Sequence, residues 1–229
     1  MWDRIIEEAP SFFSYYNGVL LLEAMLATFL LSAVGCVIGS VAGFFFAATR
    51  RTTSPALMPL RGATVLFVEL FRRIPFLVTL MLVFFVFQIM KIDVTVFTIA
   101  LVTVCLIATA FIAEIIRGGF EAIHRNQWDT AAAMNMSLWQ TLRHVVLPQA
   151  WKIILPPIFS FFILFIKDTA LASQIGVVEL TYAGKVLNNK GFSAALVFGT
   201  ILILYFALSY PLARFGTWIE VRLATSRNR

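Results

Sequence analysis

Charge is scarce in this chain. Only 13% of its 229 residues are Asp, Glu, Lys or Arg and 60% are apolar, against roughly 45–50% apolar and about 25% charged in a soluble domain. An ordinary soluble domain is thereby excluded, and long charge-free runs become the units to look for. Cysteine is sparse too: Cys36 and Cys105 both lie in apolar runs, which reads as packing and argues against a disulfide or thiolate metal site. His124 and His144 are the only histidines, and neither has a second His or Cys at ligand spacing, so no metal site is expected. A phosphate-binding loop of the G-x-x-x-x-G-K-[ST] type is missing, so the chain itself is not expected to hydrolyse ATP. No Ser-His-Asp arrangement can be assembled, and no catalytic residue is assigned. The first residues also lack the basic start of a secretory signal. Asp3, Arg4, Glu7 and Glu8 make residues 1–16 acidic, and the segment is expected to stay uncleaved.

What remains is apolar, and it falls into spans. Residues 24–49 carry no charge and, at about 1.5 Å per residue, are long enough to cross a hydrocarbon core of roughly 30 Å. Glu23 sits just before them and is expected to snorkel to the interface. Gly35, Gly39 and Gly43 lie four apart on one stripe, which admits close approach of another helix, within the chain first and across a subunit contact second. Glu69, Arg72 and Arg73 interrupt the next apolar stretch. Residues 60–71 therefore read as a helix at or near the membrane surface, and Pro75 opens a short second span over 75–90. A third span covers 94–113 and a fourth 149–166, where Pro156-Pro157 should kink or break the helix. The fifth spans 191–213. Residues 11–16 read as an interfacial aromatic patch and 172–190 as a polar connector. The expectation is an all-α integral membrane protein of five spans. Residues 1–18 form an outer segment, 19–217 the membrane domain and 218–229 a basic tail.

Charge sets the orientation. With the N-terminus outside, the inner segments hold Arg50, Arg51, Arg61, Arg72 and Arg73, then Arg117, Arg125, Arg143 and Lys152, then Arg214, Arg222, Arg227 and Arg229. These are 5 + 4 + 4 = 13 of the 18 Lys and Arg. The positive-inside rule then puts residues 126–148 in the cytoplasm and the C-terminus with them. Arginines beside membrane spans account for the basic excess, so membrane lipid is an expected partner and nucleic acid is not.

The polar interruption at 126–148, NQWDTAAAMNMSLWQTLRHVVLP, reads as two short helices meeting at a bend. Asn126 can cap the first, which puts Asp129 at the third helical position, where the dipole favours an acid. Thr130, Ala131 and Ala132 continue it. Asn135 suits a left-handed C-terminus, Ser137-Leu138-Trp139-Gln140 is a capping box for the second helix, and Pro148 marks the entrance to the next segment. Such a knob suits either docking of a soluble partner or contact with the bilayer surface.

These residues resemble a known family. Asp129-Thr-Ala-Ala-Ala-Met-Asn135 followed by Leu147-Pro148 is similar to the cytoplasmic EAA loop of bacterial ABC importer permeases. Glu69-Leu70-Phe71-Arg72, Pro75, Ala113-Glu114-Ile115-Ile116-Arg117-Gly118-Gly119, Gln127-Trp128, Leu147-Pro148-Gln149-Ala150 and Lys167-Asp168-Thr169 extend the likeness. They point to the subfamily for polar amino-acid uptake, which includes the histidine, glutamine and arginine permeases. Asp129 stands where the family usually has Glu, Thr130 where it has Ala, Asn135 where it has Gly, and Ala170 where it often has Ser. The resemblance implies a type I importer fold and a non-catalytic pathway subunit in the bacterial inner membrane. It also implies a coupling helix in which Asp129, Thr130, Ala131, Ala132, Asn135, Ser137, Leu138 and Trp139 meet an ATPase. Two cytoplasmic ABC ATPases would supply ATP and Mg, this chain binding no cofactor. A second permease chain, identical or a sister, would complete the pathway, and a periplasmic substrate-binding protein would deliver a small-molecule amino acid.

Asp168, beside Lys167 and Thr169, is the leading candidate for substrate contact. A carboxylate at the outer end of a proline-bearing helix can meet an ammonium group; the bland alternative is an interfacial residue paired with Lys167. Thr79 and Phe76 are weaker candidates for the pathway lining. The competing class is a stand-alone secondary transporter or membrane scaffold. Against it stand the odd number of spans and the nearly charge-free span centres.

Overall fold

The computed structural model describes residues 2–52 and 54–225; Arg227 and Arg229 of the expected basic tail lie outside the described residues. Among the described residues ten α-helices follow one another: α1 (Trp2–Phe12), α2 (Tyr15–Arg50), α3 (Met58–Arg73), α4 (Phe76–Ile89), α5 (Val96–Glu121), α6 (Arg125–Ala133), α7 (Leu138–Thr141), α8 (Leu147–Asp168), α9 (Leu180–Asn189) and α10 (Ala194–Thr225). No strand occurs among the described residues. Four helical stretches of the described residues are long and apolar enough to cross a membrane: Tyr15–Arg50, Val96–Glu121, Leu138–Ile175 and Ala194–Leu223. The interrupted pair Pro55–Arg73 plus Phe76–Ile89 makes a fifth if taken as one span.

The helices outrun the charge-free intervals that mark them. The first begins at Tyr15 instead of 24 and carries an exposed Glu23. At about 1.5 Å per residue its 36 residues exceed a bilayer core, so its ends extend past the hydrocarbon. α5 continues past 113 through Glu114 and Arg117 to Glu121, and α10 runs on through the first half of the expected tail. α4 keeps close to its expected limits because its ends are set by backbone chemistry. Pro75 lacks an amide, Ile74 before it is extended (ψ 133°), and Lys91 just after it adopts a left-handed φ of 53°.

Two segments are more regular than their composition suggests. Pro156-Pro157 does not break α8, which is helical throughout Leu147–Asp168. Consecutive prolines withhold amides from two carbonyls in one turn, and the ladder resumes beyond them. Residues 172–190, read as a polar connector, are largely helical. Thr169–Ile175 forms a 3₁₀ segment that ends on Gly176 in the left-handed region (φ 87°), and α9 follows.

The chain comprises two compact units: residues 1–34, 76–104 and 163–212 in the first, 35–75, 105–162 and 213–229 in the second. The eleven described basic residues assigned above to the inner side belong to the second, and Arg4, Lys91, Lys167, Lys185 and Lys190 to the first.

In the first unit, α1 is held to the turn between α9 and α10. Arg4 donates to the Gly191 carbonyl (3.1 Å), the Ser193 amide donates to Glu8 (2.7 Å), and the buried Phe12 ring meets Phe192 edge-on. The Ser193 amide, with Arg4 beside it, holds the Glu8 carboxyl below the usual carboxylate range. One apolar cluster joins Phe12, Leu21 and Ala24 to Leu180, Ala183, Leu187, Val197 and Ile201. A second joins Leu31, Leu80, Ala100, Ala172 and Val177, with Phe76 packed against it.

Glu179, fully buried, caps α9 by accepting from the Thr181 and Tyr182 amides (2.9 and 2.8 Å) and takes a third bond from the Tyr205 hydroxyl (2.9 Å). Burial pushes its carboxyl up, against the pull of those amides and of Tyr205.

In the second unit the glycine stripe does what small residues allow. A Cβ on Gly39 would lie 2.7 Å from the Ala108 Cβ, and one on Gly43 would lie 2.8 Å from the Ala113 backbone nitrogen. α2 and α5 therefore touch backbone to backbone. Just beyond, Glu114 draws in three arginines. Arg50 from α2 donates to Oε2 (2.8 Å), Arg117 from α5 binds both carboxylate oxygens (3.0 and 2.6 Å), and Arg72 from α3 lies 3.5 Å from Oε1.

Candidate coupling site

The polar interruption folds as two short helices, with one correction at its start. His124 caps α6, not Asn126: its Nδ1 accepts the Asn126 amide (3.2 Å). Helix thus begins at Arg125, and Asp129 sits one turn in, 3.7 Å from Arg125, rather than among the orphan amides. Histidine is a weak cap by statistics, and only its extended backbone and the i+2 amide give it away.

The bend lies at Asn135, whose φ of 56° is left-handed. The Met136 amide bonds back to Ala131 (3.1 Å) and the Asn135 amide to Ala132 (3.0 Å), so α6 loses few carbonyls at its end. Ser137 and Gln140 then form the full capping box: the Gln140 side chain accepts the Ser137 amide (2.8 Å) and the Ser137 hydroxyl accepts the Gln140 amide (3.3 Å). A β-branched residue pays heavily in the left-handed region. Asn135→Gly should therefore leave assembly intact, whereas Asn135→Val should cost about 1–2 kcal/mol and misdirect α7, seen as lost ATPase co-purification. Equal behaviour of the two variants would mean that the bend does not depend on that backbone conformation.

α7 does not stop before the next span. A π turn over Leu142–Val146, closed by the Leu147 amide on the Leu142 carbonyl, joins it to α8 in one helical stretch from Leu138 to Ile175. Pro148 is therefore inside this helix instead of opening a new segment. It has no amide to offer, and the neighbouring Gln149 side chain supplies a donor to the Val145 carbonyl (2.7 Å).

Of the residues singled out here, Asp129, Thr130, Ala132, Asn135, Ser137 and Trp139 are exposed, Leu138 is half-buried and Ala131 is buried. α6 packs on α7 and on the π turn. Trp139 is 53% exposed although its ring meets Phe44 edge-on at 6.1 Å, and Met134 at the end of α6 is 71% exposed. Sequence reading missed how the knob is braced from behind. The Arg51 guanidinium lies over the Trp128 ring, 4.2 Å from its centroid, and a groove of about 370 Å³ lined by Arg51, Glu121, Ile123, Arg125, Trp128 and Asp129 opens beside it. The residues of a cation–π pair 77 positions apart carry no local signal.

The pathway candidates all fall in the first unit. Asp168 is half-buried, Lys167 exposed and Thr169 buried, its hydroxyl donating to the Ile166 carbonyl (2.8 Å). Among the described residues, Lys167 and Asp168 form no ion pair with each other. Thr79 is buried, and Phe76 meets Phe165 edge-on at 5.8 Å. The 3₁₀ segment that follows Asp168 packs against both α4 and α9.

Residues 39–224 match the family described as binding-protein-dependent transport system inner membrane component. The chain belongs to that family. It is 32% identical to the probable amino-acid ABC transporter permease protein YckA of Bacillus subtilis, over 86% of each chain. It is 32% identical to the glutamine transport system permease protein GlnP of Escherichia coli K12, over 89% of this chain and 93% of that one. Among solved structures, an amino acid ABC transporter with histidines superposes with a TM-score of 0.80 at 25% identity, over 90% of this chain and 94% of that one. The methionine ABC transporter MetNI in an inward-facing form, at 23% identity and a TM-score of 0.77, shares the fold over 92% of this chain and 99% of that one. The chain is thus a permease subunit of an ABC importer with the type I fold, located in the inner membrane. Permeases of this family work with ATPase and substrate-binding partners.

Proposed function

We propose that this permease carries a polar amino acid or close analogue inward, with its N-terminus outside and its C-terminus in the cytoplasm. Relatives named as amino-acid and glutamine permeases support the substrate class, and the thirteen inner arginines and lysines support the orientation. Two such chains, identical or sisters, form the pathway; two ATPases hydrolyse Mg·ATP, and a periplasmic binding protein delivers the cargo. This chain holds no cofactor and performs no catalysis. Asp129, Thr130, Ala131, Ala132, Asn135, Ser137, Leu138 and Trp139 form the ATPase-coupling surface. Asp168 receives positive charge on the substrate, with Lys167, Thr169, Thr79 and Phe76 around the pathway.

The observation that carries this reading is the exposed Trp139 on a capped helix that runs through a π turn into a helix of spanning length. A force applied at such a knob is passed to α8 through the backbone that joins them. In proteoliposomes holding the whole importer, Trp139→Asp should leave the permease in the membrane but uncouple ATP hydrolysis from uptake. Asp168→Asn should lower uptake while hydrolysis still responds to the binding protein. Normal uptake by Trp139→Asp would overturn the coupling assignment. Recovery of uptake by adding Lys167→Gln to Asp168→Asn would make that pair structural.

A further inference from the structure

Lys185 differs in burial from the other described cations of the first unit, Arg4, Lys91, Lys167 and Lys190, which are exposed. It projects from α9, is half-buried, and its ammonium donates to the Ser173 hydroxyl (3.1 Å). Among the described residues it pairs with no carboxylate, as is also true of Lys91, Lys167 and Lys190, whereas Arg4 in the same unit pairs with Glu8. Removing an ammonium from water is costly unless charge or several hydrogen bonds replace the hydration, and an ammonium has three protons to give. One neutral hydroxyl leaves that demand open.

Its position gives the demand a meaning. Ser173 belongs to the 3₁₀ segment Thr169–Ile175, which begins next to Asp168 and packs on one side against α4, the helix of Phe76 and Thr79, and on another against α9. α9 is itself fixed: Glu179 caps its start, the Thr28 hydroxyl accepts the Leu180 amide (3.2 Å), and its far end is tied through the Lys190 ammonium to Asn17 (3.2 Å). The Lys185 stem therefore leaves a rigid helix, with its charge held at the segment where the pathway candidates meet. A cation presented this way on a firm support is suited to an anionic group that comes and goes.

We infer that Lys185 is the residue of this permease that receives the carboxylate of the transported amino acid. The inference rests on the amino-acid reading above and adds to it the recognition of the anionic end of the cargo. Ser173 acts as a positioning residue, holding the ammonium when no cargo is present.

Detergent-solubilised permease–ATPase complex without binding protein isolates the permease's own preference. A panel of the twenty radiolabelled L-amino acids is measured by scintillation proximity. The tightest-bound member is then compared with the amine that loss of CO₂ would make from it. Wild type should favour the amino acid over the amine by about tenfold, the scale of one charge-assisted hydrogen bond. Lys185→Met should bring that preference close to one, and Lys185→Arg should retain most of it. Ser173→Ala, which removes only the hydroxyl partner, should also keep the preference. Thermal unfolding of each variant separates misfolding from loss of recognition, because a folded Lys185→Met with wild-type preference would overturn the inference. If Ser173→Ala lost the preference as fully as Lys185→Met, the pair would be structural and the inference would fall as well. Binding of no amino acid by the wild-type complex would instead sink the substrate class itself.

Discussion

Glu114→Ala should be among the most damaging single changes in this permease, lowering the stability of the detergent-solubilised chain by on the order of 3 kcal/mol. The carboxylate is shared by Arg50, Arg72 and Arg117, which come from three helices and whose side chains are 15%, 33% and 26% exposed. Without it, three guanidinium groups are left close together with one acid, Glu121 on Arg117, to balance them. Repulsion then adds to lost attraction. Water reaches all three arginines, so the cost stays below that of a fully buried pair. Glu114→Gln keeps the shape and an acceptor oxygen but not the charge, and should fall between. Raised salt should relieve part of the defect by screening the arginines. An unfolding temperature for Glu114→Ala equal to wild type would show that the cluster is held by solvent and not by the acid.

The second large effect concerns the glycine contact. Gly43→Leu should prevent the folded chain from accumulating in the membrane, because the first added atom already meets the Ala113 nitrogen at 2.8 Å and the Ile112 carbonyl carbon at 3.2 Å. Backbone cannot rotate aside as a side chain can. Even Gly43→Ala forces α2 and α5 apart, at the roughly 1–3 kcal/mol of an overpacked core, and Gly39→Ala should behave alike. Gly18 and Gly62 supply the control, since a Cβ at either meets nothing within 4 Å. There, Gly→Ala should be neutral or stabilising by up to about 1 kcal/mol, by helix propensity. Membrane yield and unfolding temperature of the four alanine variants decide the matter. A ranking in which Gly43→Ala matches Gly62→Ala would remove the close approach.

What could be read in the sequence followed from chemistry that is local. Pro75 and the turn at Lys91 bracket α4 closely, Ser137 and Gln140 announce their own capping box, and Asn135 takes the left-handed turn that its short side chain permits. Hydropathy did less well for α2 and α5. It registers where lipid accepts a side chain, whereas a helix ends where its backbone ladder fails, and nothing between Tyr15 and Glu23 or between Glu114 and Glu121 interrupts that ladder. The residues that went unread are those satisfied from far away. Glu179 looks like a loop acid until Tyr205 is seen to donate to it, and the Arg51–Trp128 stack and the three-arginine cluster join segments that only the fold brings together. Asn126 failed for the opposite reason, because the statistically preferred cap stood two residues after a histidine that already occupied the role.

The π turn at Leu142–Val146 makes the aim of the knob depend on arithmetic. Such a turn holds one residue more than the α-helix around it, and one residue corresponds to about 100° of rotation about the helix axis. Deleting a single codon there would let the segment close as an ordinary α-turn and leave the face bearing Trp139 near its present bearing, whereas the same deletion in the α-helical part of α7 or α8 would swing it by about 100°. The bearing of this surface is thus stored in residue number as firmly as in residue identity, and a one-residue change that preserves every apolar side chain can still point it at the wrong place when it falls outside the π turn.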